Sequence, residues 1–225
     1  MREEEVILNY QLNFENILHI GACRGTEISF YRNLLLANNV VFVEPNPDVY
    51  KELLINIEKD KKGINVYTYQ LACSNKVEKN VDFNIIYGSD ANFMEGNKGC
   101  SSFLEIDYDN VVKANNSHHF IFKEKIKVDT ITIDKLIEKH PDIDFNFLNI
   151  DAQGVEYQIL DGARELLKKQ SLEMILVEAT VDEPFYINNC SFDSVKNLLS
   201  QYGYIFDRMI WHSIDKWGDA IFIKE

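Results

Sequence analysis

Apolar residues along this chain fall into short runs of two kinds, and the two kinds alternate. Residues 16–20, 40–44, 145–151 and 172–178 are nearly continuous apolar stretches of strand length, the mark of strands buried on both faces. Residues 26–37, 47–60 and 155–169 instead carry apolar positions at helical spacing. In the last of these, Val155, Ile159, Leu160, Ala163, Leu166 and Leu167 make one sheet-facing stripe. Residues 64–73 read as a third strand, because Val66-Tyr67-Thr68-Tyr69 is rich in β-forming types. Residues 192–201 read as a helix, and 204–210 with 220–224 as a closing hairpin. The alternation predicts an α/β fold of the Rossmann-like kind: a mostly parallel seven-stranded sheet, helices on both faces and an antiparallel C-terminal edge strand.

The rhythm breaks in the middle. Residues 81–87 look like a strand, but 88–102 are rich in Gly, Ser and Asn and read as loop. Residues 107–122 mix both patterns around Asn115-Asn116-Ser117-His118-His119, and regularity returns with a strand at 125–131 and a short helix at 133–139. A single domain over 1–225 with an irregular insertion at 88–124 follows. Loops of that length in compact domains serve as lids or binding loops. Ser101, Ser102, His118 and His119 are therefore the candidate substrate-binding residues.

Composition narrows the partners. The chain has 225 residues and a net charge of −13, with its lysines dispersed. Nucleic-acid binders neutralise phosphates with clustered basic residues, so the expected partner is a small-molecule or glycan acceptor and no nucleic acid. No apolar run reaches the roughly 18 residues of a membrane span. The acidic start, Met1-Arg2-Glu3-Glu4-Glu5, has no signal-peptide character, and a cytoplasmic location is expected. The four cysteines show no CxxC spacing, which argues against thiolate metal sites and a disulfide framework. Oligomeric state is not encoded in any of these features.

The chemistry starts at the first strand. It runs into Gly21-Ala22-Cys23-Arg24-Gly25, and the second strand ends in Glu44, 23 residues beyond Gly21. That spacing, near the ~20 residues usual for a ribose-holding acid, marks an adenosine cofactor site. Dinucleotide folds need a middle glycine so that backbone can approach a pyrophosphate; its absence counts against an NAD-dependent dehydrogenase. S-adenosylmethionine carries no phosphate and makes no such demand.

The motifs then become specific. Ile20-Gly21-Ala22-x-x-Gly25, Val43-Glu44-Pro45-Asn46-Pro47, Leu71-Ala72-Cys73, Val128-x-Thr130-Ile131-x-Ile133-Asp134-x-Leu136 and Ile150-Asp151-Ala152-Gln153-Gly154-x-Glu156-x-x-Ile159-Leu160-x-Gly162-Ala163 occur in that order over residues 17 to 180. Together they resemble the FkbM family of methyltransferases. The resemblance implies a class I methyltransferase fold, S-adenosyl-L-methionine as cofactor, and transfer to oxygen, often a hydroxyl of a sugar. It implies a cofactor site made of His19, Gly21, Ala22, Cys23, Arg24, Gly25, Glu44, Pro45, Asn46, Ala72, Cys73 and Asp151.

Two positions depart from the family pattern. His19 stands where the family has Asp, which leaves the partner of the cofactor's ammonium unassigned. Asn149 stands where the family has Lys. A binding module that has lost catalysis is the rival reading these departures raise.

A hydroxyl acceptor must also lose a proton, which calls for a base or a metal. Asp151 and Glu178 end adjacent buried strands, where ligands of open α/β sheets bind, and are the candidate catalytic carboxylates. They are oxygen ligands of a kind Mg²⁺ accepts, but no spacing demands a metal. Glu156 reads as a first-turn helix acid.

Overall fold

The protein is described by a computed structural model covering residues 3–89, 98–113, 119–182, 184–213 and 216–225. Its strands are β1 (Asn16–Ile20), β2 (Asn39–Val43), β3 (Asn65–Tyr69), β4 (Ala72–Cys73), β5 (Val81–Ser89), β6 (His119–Val128), β7 (Thr130–Ile131), β8 (Phe147–Ile150), β9 (Met174–Thr180), β10 (Tyr204–Ser213) and β11 (Trp217–Lys224). Its helices are α1 (Glu3–Leu8), α2 (Ile28–Asn33), α3 (Pro47–Asp60), α4 (Tyr108–Lys113), α5 (Ile133–Ile137), α6 (Glu156–Asp161), α7 (Arg164–Lys169) and α8 (Phe192–Ser200).

Seven strands form one sheet in the order β10-β11-β9-β8-β1-β2-β3. The β1, β2, β3, β8 and β9 pairings are parallel, and β11 runs antiparallel to both its neighbours. The C-terminal strand is thus inserted beside β9, and β10 takes the edge. Strand alternation sorts the side chains onto two faces. Leu18, Val41, Leu148, Ile175 and Phe222 pack against α5, α6, α7 and α8. Ile17, Val40, Phe42, Phe147 and Leu176 pack against α1, α2 and α3. His19, Asn149, Glu178 and Asp219 share the parity of this second face. Polar chemistry therefore gathers on one side of the sheet.

Three sequence expectations need correction. The single strand over 64–73 is two: β3 forms the sheet edge, and β4 leaves the sheet to pair with β7. The helix over 155–169 breaks at Gly162, where a Cβ would lie 2.3 Å from the carbonyl oxygen of Ser74. The predicted stripe survives the break, since Val155, Ile159, Leu160, Ala163, Leu166 and Leu167 all join one core. The strand over 125–131 is also two, and its first part starts at His119. The resulting β5–β6 hairpin supplies part of what was read as an irregular insertion.

Candidate active site

The glycine turn is built by close approach. Gly21 sits at φ +75°, and its N–H and that of Ala22 both donate to the carbonyl of Val43, at 2.9 and 3.0 Å. A Cβ on Gly21 would fall 1.7 Å from the carbonyl oxygen of Asp151. Only glycine lets the ends of β1 and β8 meet this way. The backbone then turns through Cys23, itself left-handed at φ +46°, and Gly25 at φ +60°.

That turn delivers a donor to Glu44. The N–H of Cys23 reaches Oε2 at 3.0 Å, and the N–H of Asn46 reaches Oε1 at 2.7 Å. The carboxyl is 7% exposed, and burial pushes its pKa up to about 8 despite these two donors. Each oxygen holds one backbone donor and keeps lone-pair capacity for another. Asn46 itself caps α3, accepting from the N–H of Asp48 at 3.1 Å, and its amide donates to Ser101 Oγ at 3.2 Å. Beside Glu44, Pro45, Leu71, Ala72, Cys73 and Phe83 line a small cavity of about 40 Å³, which Ser101, Asp151 and Gln153 also line.

On the other side of Gly21 opens a larger cleft of about 580 Å³, lined by His19, Cys23, Arg24, Glu27, Asn149 and Asp151 on one side. Glu178, Tyr186, His212 and Asp219 line it further along, with the aromatic rings of Phe120, Phe185 and Trp217. The glycine turn thus lies between a small pocket and a larger cleft.

Asp151 and Glu178 are joined by Gln153. Its amide nitrogen donates to Asp151 Oδ1 and Glu178 Oε2, both at 2.7 Å. Gln153 stands at φ +59°, braced by Ser102 Oγ on its carbonyl (2.7 Å) and by the Tyr186 hydroxyl on its Oε1 (2.9 Å). Both carboxyls are pushed up, first by burial; for Glu178 the neighbouring Asp151 charge adds to it. Two like charges this close cannot both persist, so the pair keeps a proton. Asp151 is the more exposed residue of the two, and Glu178 is half-buried. The proton therefore rests on Glu178 and the charge on Asp151.

The two family departures form one unit. His19 and Asn149 are direct partners in the β1–β8 register. Asn149 donates its amide to the Tyr31 hydroxyl at 3.0 Å, and that hydroxyl meets His19 Nδ1 at 3.1 Å. Burial drives the His19 pKa down to about 4, so the imidazole is neutral. The charged groups of the family pattern are replaced by a neutral, hydrogen-bonded cluster.

Other predicted residues fall differently. Arg24 is turned onto Glu52, with Nε 2.7 Å from the carboxylate. Ser102 is fully buried and serves the Gln153 turn. His118 lies outside the described residues; His119 opens β6, and only its backbone is described. Glu156 accepts from the N–H groups of Ala152 (3.2 Å) and Gly154 (2.9 Å), closing the turn after Asp151. Among the described residues no group of three or more His, Cys, Asp or Glu has the arrangement of a metal site.

Sequence reasoning missed Glu27, Tyr31, Gln153, Tyr186 and the His212–Asp219 pair, whose Nε2 and Oδ2 are 2.5 Å apart. Asp219 is the cross-strand partner of Glu178. Only Gln153, two residues after Asp151 in the quoted motif, left a signal in the sequence.

The solved structures that resemble this chain share its fold at low identity. An uncharacterized protein from Listeria monocytogenes serotype 4b superposes with a TM-score of 0.52 at 10% identity, covering 100% of this chain and 68% of that one. The Bacillus subtilis M1A22 tRNA methyltransferase TrmK gives 0.51 at 8% identity, covering 100% and 66%. Streptococcus pneumoniae Sp1610, a putative tRNA (m1A22) methyltransferase, gives 0.53 at 10% identity, covering 100% and 70%. No curated protein sequence matches. A fold shared with a tRNA methyltransferase removes the ground for excluding nucleic acid on acidity alone. No helix among the described residues is long and apolar enough to cross a membrane. The model of the methyltransferase FkbM domain matches residues 19–206, which takes in the glycine turn, Glu44 and the Asp151–Glu178 pair. The chain belongs to the FkbM family of S-adenosylmethionine-dependent methyltransferases.

Proposed function

We propose that this methyltransferase acts on a hydroxyl of a sugar, a glycan or a comparable small molecule. The observation that carries this reading is the carboxyl pair Asp151–Glu178, joined by the Gln153 amide at the wall of a roomy cleft. When bound, S-adenosylmethionine supplies a methyl group already activated on a sulfonium, so the chain's task is alignment and proton removal. Glu44 would hold the ribose hydroxyls with the lone pairs its two backbone donors leave over. The apolar side chains of Leu71, Ala72 and Phe83 beside Glu44 would flank the adenine ring.

Asp151, the more exposed of the pair at the cleft wall, would accept the acceptor's hydroxyl proton. Gln153 fixes its orientation through Oδ1. Phe120, Phe185 and Trp217 offer flat apolar faces on which a sugar ring can lie while its hydroxyls reach the carboxylates.

The test is methyl transfer from S-adenosylmethionine to a panel of neutral glycans, phenols, amines and tRNA. Transfer to a glycan or phenol hydroxyl, lost in Asp151→Asn, is the expected result. Transfer only to an amine or to tRNA would sink the hydroxyl reading, and full activity in Asp151→Asn would remove its assigned base.

A further inference from the structure

The Tyr186 hydroxyl begins a chain of hydrogen bonds that ends on the carboxyl pair. It stands 2.9 Å from Gln153 Oε1 and 2.7 Å from the carbonyl oxygen of Cys100, two acceptors for the one hydrogen a phenol carries. The nitrogen of the same amide gives its hydrogens to Asp151 and Glu178, both at 2.7 Å. Burial holds the phenol well above its ordinary pKa, so it remains a donor. The ring itself is fixed. Tyr186 is 3% exposed and packs among Ile86, Cys100, Ile106 and Val111. Its backbone bridges to Ile106, and the N–H groups of Asp107 and Ile187 donate to Phe185 and Glu105, each at 2.8 Å, on either side of it. Phenylalanine would fill the same space, so packing does not account for the hydroxyl.

A side-chain amide can occupy its slot either way round, and the two orientations act oppositely on an acid. With Nε2 on the carboxyls, as here, two N–H donors favour their ionised forms. Turned over, Oε1 would face them and could accept only from a protonated carboxyl. The phenol decides between the two. Its hydrogen on Oε1 holds the observed orientation; without it, Oε1 is a buried acceptor left empty, and turning over relieves that cost.

We propose that Tyr186 is a positioning residue for methyl transfer: by donating to Gln153 Oε1 it keeps the amide hydrogens on Asp151 and Glu178, and so keeps Asp151 in the form that can take a proton. This rests on Asp151 as the base of the proposed hydroxyl methylation. The other titratable groups around the pair are Asp219 with His212 from β11 and β10, His19 from β1, Glu156 from α6, and Glu44 and Cys23 at the glycine turn. Among the described residues none of these shares a hydrogen bond with Tyr186, so removing the hydroxyl leaves their own contacts in place. Cys100, whose carbonyl Tyr186 also meets, adds a thiol on the phenol's side.

Titration of Asp151 without any acceptor tests the link, read by ¹³C NMR of labelled aspartate carboxyls and assigned by the signal lost in Asp151→Asn. In Tyr186→Phe the Asp151 midpoint should rise by about one pH unit. The acidic limb of the pH–kcat profile for methyl transfer should rise with it, at little change in acceptor KM. A role in packing alone would lower the rate at every pH with both midpoints unmoved, and would overturn the proposal. Gln153→Met removes both ends of the amide without touching Tyr186 and should raise the midpoint at least as far. Adding Tyr186→Phe to it should then move nothing further. An unmoved midpoint in Gln153→Met would sink the proposal, and so would a further shift in the double variant, because the phenol would then act on the pair directly. The shifted titration in a protein that methylates only amines would uphold the Tyr186–Gln153 link and remove the hydroxyl reading, which tells the two failures apart.

Discussion

Gly21 and Asp151 meet where β1 and β8 end, so tightly that the space a Cβ would need on Gly21 is taken by the carbonyl oxygen of Asp151, 1.7 Å away. The residue that starts the cofactor turn and the candidate base are thus held by one backbone contact. Gly21→Ala would clash with main chain that cannot yield and force alanine to φ +75°. We expect a loss of about 3 kcal/mol or more, or roughly 10 °C in melting temperature for a chain of this size. Calorimetric melting checks it, and a shift under about 2 °C would mean the two strands can part.

Glu44 makes stability depend on pH. Its folded pKa, about 8, lies above the ordinary value of 4.5, because burial outweighs two backbone donors. Between those values the folded chain holds a proton the unfolded chain has lost, so stability falls as pH rises from about 4.5 to about 8. Glu44→Gln should flatten part of that slope. Urea unfolding at pH 5, 6.5 and 8 measures it; equal slopes in both proteins would mean Glu44 ionises normally.

The neutral cluster His19–Tyr31–Asn149 should behave as a unit. Tyr31→Phe strips the oxygen that serves both neighbours and should cost about 1–3 kcal/mol. Adding Asn149→Leu, which removes the stranded amide, should cost less than the sum of the two single changes. Additive losses in a double-mutant cycle would show that the three residues do not communicate.

The sequence-level reading reached the sheet because strand burial is written in consecutive residues. Residues 16–20 and 47–60 matched their elements to the residue. It faltered where a boundary depends on a contact distant in sequence. Gly162 breaks a helical pattern because Ser74, far back in the chain, presses on it. Residues 64–73 split because β4 finds β7, and no local pattern announces that pairing. The site divides in the same way. Gly21, Glu44 and Asp151 were legible from turn spacing and strand ends. Asn46, read as a cofactor contact, also caps α3, as its place before Pro47 allows. Asp219 carries no motif at all; its meaning lies in its cross-strand neighbour Glu178.

Glu178 and Asp151 sit together yet should respond to neutralisation in opposite ways. Glu178 holds the pair's proton, because burial and the Asp151 charge both disfavour its ionised form. Glu178→Gln keeps the shape and neutrality of that state: its carbonyl can still accept from Gln153, and its amide can donate to Asp151 as the acid proton does. Asp151→Asn instead removes the negative charge that Asp151 presents to the cleft. With a hydroxyl acceptor at pH 7, Glu178→Gln should keep methyl transfer within about threefold of the parent. Asp151→Asn should lower it about 100-fold, the scale of a positioned general base. Both variants should still bind S-adenosylhomocysteine. A large loss in Glu178→Gln with little in Asp151→Asn would place the charge on Glu178 and exchange the two roles, because only the ionised partner can take a proton.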